Sequence, residues 1–315
     1  MNVFLDHLSL SAPLFILVLA GYATVRLAKW PGSVSDALTR FVFGLALPAM
    51  LFRMMSDLSR LPAVDLRLLI AFFGACLIVF IVGRLVAWRL FGLDPIAQSV
   101  FALGGIFSNN VLLGIPLAKS LLGDAALPAV ALVLVFNSLI LWTLVTVSVE
   151  WARHGSFSLR GFARTARSVI TNPLVAAILS GTALCLSGAR IPALVDAPLA
   201  MVGQAATPMA LVALGMSLAE YGVTAGWRQS VAICTLKLAV QPLVAWALAR
   251  ALSLPALETQ VVVLLSSLAV GTNVYLMSRQ FKTLEGPIAT SMTLSTALAA
   301  VTTPLALSLL GVGMN

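Results

Sequence analysis

Long apolar runs alternate with short polar connections along the whole chain, and most runs are long enough to cross a bilayer as helices. Hydropathy and breaker residues predict ten spans, near 8–28, 34–55, 66–91, 97–121, 125–151, 169–188, 194–219, 228–252, 257–281 and 286–311. Two of them are interrupted by polar peptide. Span 4 carries Gly104-Gly105-Ile106-Phe107-Ser108-Asn109-Asn110-Val111-Leu112-Leu113-Gly114-Ile115-Pro116, and span 9 carries Ser266-Ser267-Leu268-Ala269-Val270-Gly271-Thr272-Asn273-Val274. An unpaired backbone polar group is so costly in hydrocarbon that non-helical peptide at depth persists only inside protein or beside water. Matching interruptions in two halves of a chain point to the binding site of a secondary transporter.

The halves echo one another. Pro13-Leu14, followed by Gly21, recurs as Pro173-Leu174, followed by Gly181; Pro48 recurs as Pro208 and Pro95 as Pro255, all at an offset of 160 residues. Five spans per half is an odd number, so the second copy enters the membrane with opposite orientation. The expected fold is all-α and polytopic: ten transmembrane helices as two inverted five-helix repeats, with broken helices 4 and 9 crossing. The expected boundaries are 1–151 for the first repeat, 152–168 for a basic cytoplasmic linker and 169–315 for the second repeat.

Charge sets the orientation. The faces after spans 1, 3, 5, 7 and 9 hold twelve Lys and Arg: Arg26, Lys29, Arg40, Arg84, Arg89, Arg153, Arg160, Arg164, Arg167, Arg228, Arg279 and Lys282. The opposite faces hold six: Arg53, Arg60, Arg67, Lys119, Arg190 and Arg250. The positive-inside rule then places both termini outside and the 152–168 loop in the cytoplasm, with a bacterial inner membrane as the expected location. Only 10% of residues are charged and the mean hydropathy is +1.05, against about 25% charged in soluble domains. The net charge of +8 is therefore read as topology signal and lipid contact, not nucleic-acid binding. A basic start and a small-residue cleavage site are missing around the first apolar stretch, so a cleaved leader is not expected. Cys76, Cys185 and Cys234 lie in apolar helices without metal-ligand spacing; no metal or other cofactor is expected.

At each break the following half-helix should expose free N–H groups and the positive end of its dipole, which suits an anion. Asn109, Asn110 and Asn273 are cap-type residues, Ser108 and Thr272 add hydroxyls, and Gly114 and Gly271 permit close backbone approach. These seven are the candidate substrate-binding residues; the competing reading is that Asn and Gly merely pack helices together. Pro116, like Pro48 and Pro208, is a candidate structural residue that loosens its helix.

Lys237 is the basic residue placed well inside an apolar span. It either pairs with a substrate carboxylate or holds the C-terminal carbonyls of a broken helix, the structural role being preferred; snorkelling is a third reading. The acids lie near span ends or in loops, which disfavours a sodium cage. Asp65, beside Arg67, is the candidate for proton coupling, with a solvated ion pair as the alternative. An intramembrane enzyme is excluded on this reading: the histidines, His7 and His154, sit at the N-terminal edge and in a loop, and no intramembrane Asp pair exists.

Phe41-Val42-Phe43-Gly44-Leu45-Ala46-Leu47-Pro48 and Asn109-Asn110-Val111-Leu112-Leu113-Gly114-Ile115-Pro116-Leu117 resemble the auxin efflux carrier family, which includes plant PIN-type carriers and bacterial malonate-type permeases. Asn172-Pro173, Ala213-Leu214-Gly215-Met216-Ser217-Leu218-Ala219 and Lys237 with Pro242 look like it too, so the similarity runs through essentially the whole chain. The resemblance implies a scaffold part and a transport part moving relative to each other, with a small organic anion bound at the crossover. It also implies that Asn109 is the crossover asparagine, Lys237 the basic residue of span 8 and Asp65 the acid near the start of span 3. Plant carriers have proline at both crossings, where this chain has Ser108 and, around the second, Ala269 and Val274; the long cytoplasmic loop of many plant members is also missing. A malonate-like dicarboxylate therefore fits better than auxin. An anion channel and an exporter of auxin-like aromatic carboxylates are the alternatives on the same scaffold. Protons as coupling ion and a homodimeric assembly are left open.

Overall fold

The computed structural model describes residues 2–57, 64–154, 173–221 and 226–310, and among them the regular elements are helices. The basic linker beyond residue 154, with Arg160, Arg164 and Arg167, lies outside the described residues, as do Arg60 and Asn172. The first half comprises α1 (Asn2–Arg26), α2 (Gly32–Phe41), a π-helical turn (Val42–Ala46), α3 (Leu47–Met55), α4 (Arg67–Phe91), α5 (Pro95–Gly104), a second π turn (Asn110–Gly114), α6 (Ile115–Leu122) and α7 (Leu127–His154). The second comprises α8 (Pro173–Leu186), α9 (Ala193–Tyr221), α10 (Trp227–Thr235), a third π turn (Leu236–Val240), α11 (Gln241–Ala251), α12 (Ala256–Ser267), α13 (Thr272–Phe281) and α14 (Glu285–Leu309).

Among the described residues six stretches are helical, long and apolar enough to cross a membrane: Phe4–Arg26, Gly32–Met55, Arg67–Phe91, Ala193–Glu220, Trp227–Ala251 and Glu285–Leu309. They bury one face and expose large apolar side chains such as Ile16, Leu19, Ile70, Ile81 and Leu90 on the other, as lipid-facing helices do. The regions predicted as spans 4 and 9 each form two shorter helices, α5 and α6 in one case and α12 and α13 in the other.

Local chemistry explains where elements start and bend. Asp94 caps α5 by accepting from Ile96 N (2.9 Å) and Ala97 N (3.1 Å), with Pro95 in the first turn, where a missing N–H costs nothing. Each π turn ends two residues before a proline: Ala46 before Pro48, Gly114 before Pro116, Val240 before Pro242. A proline ring clashes with the carbonyl four residues earlier, which here belongs to Gly44, Leu112 and Leu238, each inside its π turn. Widening the helix at that point relieves the clash.

Packing sorts the helices into two groups. In one, α9 packs along α1 and α3, and α8 packs on α3. In the other, α4 lies against α5 and α11, α11 against α12, α14 against α10 and α12, and α7 against α5. The groups meet where α1 touches α14 and α6, and where α9 touches the second π turn. Glycine permits the closest crossings: a Cβ on Gly21 would overlap the main-chain oxygen of Val212, and one on Gly181 that of Phe52. Gly21 and Gly181 are 160 residues apart, and so are Phe52 and Val212. The same contact is thus made twice, with the halves exchanged.

Candidate functional site

The two interruptions meet. After α5 ends at Gly104, residues 105–109 run irregularly to the second π turn; after α12 ends at Ser267, residues 268–271 run to α13. Ser108 and Val270 form an isolated antiparallel bridge, with Asn109 N donating to Ala269 O (2.9 Å) and Gly271 N donating to Phe107 O (2.8 Å). This pairing satisfies backbone groups that the helices have abandoned. Gly271 is required at the contact, since a Cβ there would lie 2.9 Å from Ser108 O and 3.0 Å from the Phe107 ring. Gly114 serves a different neighbour: its missing Cβ makes room for Leu268 and Leu265 of the facing segment.

Side chains from four further elements lock the peptides. Lys237, fully buried in the third π turn, donates through Nζ to Ser266 O (2.6 Å) and to Gln241 Oε1 (2.7 Å). Gln241 Nε2 in turn donates to Ile106 O (3.0 Å) and to Cys76 Sγ on α4 (3.3 Å). One i,i+4 pair therefore grips a carbonyl of each interrupted segment. On α14, Ser295 Oγ accepts from Val270 N (3.0 Å), and Thr303 Oγ1 donates to Ser267 O (2.9 Å). Among the described residues Lys237 has no carboxylate within ion-pair distance.

Around this frame lie polar atoms without partners. Ser108, Asn109 and Asn110 are all at least 95% buried, yet Ser108 Oγ, Asn109 Nδ2 and Asn110 Oδ1 have no hydrogen-bond partner among the described residues. Asn110 Nδ2 donates to Asn137 Oδ1 on α7 (3.3 Å). The expected side-chain capping is not found: Asn109 precedes the second π turn and Gly271 precedes α13, neither with a side-chain cap bond, and Asn273 lies in the first turn of α13. The first-turn N–H groups of Val111, Leu112, Thr272 and Asn273 have no preceding helical carbonyl to bond. Thr272 and Asn273 are half-buried beside the bridge.

The other sequence candidates are farther off. Pro208 lies in α9, the helix that packs on the second π turn, and Pro48 in α3. Asp65 is eleven residues before Cys76 on the same segment, roughly 16 Å along the helix axis. It accepts from Arg67 N (2.9 Å) and Arg67 Nη2 (2.5 Å), while its own N–H donates to Glu258 Oε1 (3.2 Å). The Arg67 hydrogen bonds hold the Asp65 carboxyl below its ordinary value of 3.8. A depressed carboxyl favours folding above its unfolded-state pKa and loses that contribution only as pH falls through the lower folded value. Asp65 thus stays ionised near neutral pH. Gln241, Asn137, Ser295 and Thr303 were not singled out from the sequence. The signal for Gln241 was present, a buried-type amide one turn beyond Lys237; the two hydroxyls on α14 gave none.

The sequence profile described as "Membrane transport protein" matches residues 8–307. The chain belongs to this family. Membership accords with the resemblance to auxin efflux carriers and identifies the protein as a membrane transporter, not an enzyme. A Rhizobium meliloti relative named "Putative malonate transporter" is 27% identical over 298 residues, covering 92% of this chain and 91% of that protein. An uncharacterized transporter of Methanocaldococcus jannaschii is 26% identical over 261 residues, 80% of this chain and 82% of its own.

Proposed function

We propose that this family member is a bacterial inner-membrane secondary carrier for a small organic anion, of which a malonate-like dicarboxylate is the best-fitting class. In this reading the helices form two inverted five-helix repeats with both termini outside, and alternating access occurs around the paired breaks. The observation that carries it is the set of buried Ser108 Oγ, Asn109 Nδ2 and Asn110 Oδ1, without partners among the described residues, beside two helix starts whose first-turn N–H groups have no helical carbonyl. Buried polar groups normally have partners, so three consecutive residues with unpartnered side-chain atoms fit a ligand that supplies the missing bonds. The chemistry favours an anion. The segments leading into two helix N-termini are bridged to each other, no acid is among the crossing residues, and Lys237 has no carboxylate partner among the described residues. The doubled Gly21–Val212 and Gly181–Phe52 contacts support the repeat. So does the bridge itself, whose two bonds exchange under an offset of 162 residues, slightly more than 160 because α12 runs longer than α5 before its break. Asp65, hydrogen-bonded to Arg67 at the start of α4, stays the candidate for proton coupling, with an anchoring ion pair as the alternative.

The test is uptake into proteoliposomes of a panel from malonate to indole-3-acetate, with and without a proton gradient. Saturable uptake and counterflow of preloaded dicarboxylate are expected. Asn109→Ala and Asn273→Ala should each abolish binding while the purified protein keeps its elution profile and melting behaviour. Wild-type affinity in either variant removes the site assignment. Currents that fail to saturate would instead indicate a channel.

A further inference from the structure

A cavity of about 720 Å³ opens between the two helix groups, away from the crossing residues. One wall is α3, the end of α8 and the first half of α9; the other is the end of α6 and the start of α7. It faces the side with fewer basic residues and extends to Gln204, eleven residues into α9 or roughly 16 Å along it at 1.5 Å per residue. Its size is within the range of small-molecule sites.

The cavity charges are three basic and three acidic, but they are not equally free. Arg53 and Asp196 are closed on each other by two bonds of 2.6 and 3.1 Å. Asp57 has a partner of its own. Lys119 and Asp124, on the α6–α7 wall, stand 3.8 Å apart with 49% and 69% of their side chains exposed, a loose pair. Arg190, on the opposite wall, has no carboxylate within ion-pair distance among the described residues. Farthest along α9, the exposed Gln204 amide makes no hydrogen bond to a described residue. Its main-chain carbonyl also lacks the usual helical donor, because Pro208 has no N–H to offer it.

We propose that this cavity is a staging site for small carboxylate anions on the extracytoplasmic side, with the Arg190 guanidinium as its charged anchor and the Gln204 amide farther along α9. Its sidedness and ligand class rest on the function proposed above. A planar guanidinium suits a carboxylate, and Lys119 across the cavity can exchange Asp124 for a second carboxylate of the same ligand. The anion is thereby concentrated beside the moving interface before it reaches the crossing.

Cys185 lines the same cavity and is partly exposed, while Cys76 and Cys234 are buried, so the native thiol is a built-in reporter. The experiment compares modification rates of Cys185 by sulfonatoethyl and trimethylammonioethyl methanethiosulfonate, added outside intact cells in low salt, each rate taken relative to that of the same reagent with a small neutral thiol in solution. The anionic reagent should react about five- to tenfold faster, the effect expected of one unbalanced charge close by. The ratio should collapse toward one in Arg190→Gln and recover in Arg190→Lys. Malonate should slow modification of the wild type and not of Arg190→Gln, with Gln204→Leu weakening that protection. Equal rates for the two reagents in wild type, or a ratio unchanged in Arg190→Gln, overturns the staging site. Asn109→Ala separates the two readings: it should leave the labelling ratio and malonate protection intact while uptake is lost. If Asn109→Ala instead transports normally, the crossing assignment fails while the labelling result still stands on its own.

Discussion

Lys237 is the residue whose role sequence left open; its two bonds, to a main-chain carbonyl and to Gln241, are the contacts the structural reading calls for. Nζ sits on the carbonyl of Ser266 at the end of α12, where a helix that stops in the membrane would leave an unpaired acceptor. Gln241 extends the grip to Ile106 in the other segment. The pair therefore ties both interruptions to one helix, a role neither residue could fill alone. Gln241→Leu removes a bond to Ile106 O and one to Lys237 and leaves all of the partners buried. The expected cost is about 2–4 kcal/mol, from the typical penalty of stranding buried polar groups, one of them a potential charge. Thermal unfolding in detergent should show a lower melting temperature together with reduced uptake; an unchanged melting temperature would remove the clamp from the account. Ser108, Asn109 and Asn110 show the complementary pattern, each with one buried polar atom that has no partner among the described residues. Their side-chain types were legible in the sequence, but their lack of partners depends on what surrounds them.

Among the elements, the breaks and bends have causes that can be read from the chain. Pro48, Pro116 and Pro242 each place their clash inside a π turn, and the Gly-Ser-Asn peptide of 104–110 cannot hold a helix against that chemistry. The partner of each element was not legible. Gly215 illustrates why: its sequence neighbours mark it only as a small residue in an apolar run, whereas a Cβ there would collide with the main-chain oxygen of Val18. Helix association in a bilayer has little hydrophobic drive and depends on such backbone approach. Gly215→Leu should therefore separate α1 from α9 and abolish monodisperse protein in size-exclusion chromatography. Gly44→Ala, which meets no atom within 4 Å, should elute as wild type; equal behaviour of the two variants would contradict the packing.

Over the whole molecule, two groups of helices touch through few elements, and the paired breaks belong to the group containing α4, α7, α11 and α14. The proposed alternating access would slide that group along α1 and α9. Ser120 of α6 donates to Leu10 O of α1 at 3.2 Å, directly across the boundary. With the native cysteines replaced, Leu10→Cys combined with Ser120→Cys should form a disulfide that stops uptake, with dithiothreitol restoring it. Full transport by the crosslinked protein would exclude relative motion at that boundary.

The sequence by itself determined that the chain lives in a membrane, that its segments are helical, where two of them break and which residue types occupy the breaks. These follow from local facts: hydrocarbon forbids unpaired backbone, and proline and glycine act on their own helix. Only the tertiary structure decided that the breaks pair with each other, that Lys237 and Gln241 hold both, that Asp65 is tied to Arg67, and that Arg190 and Gln204 face one cavity. Each of those is a meeting of residues distant along the chain. Hydropathy reports how a residue partitions into lipid and says nothing of which other residue it will meet there.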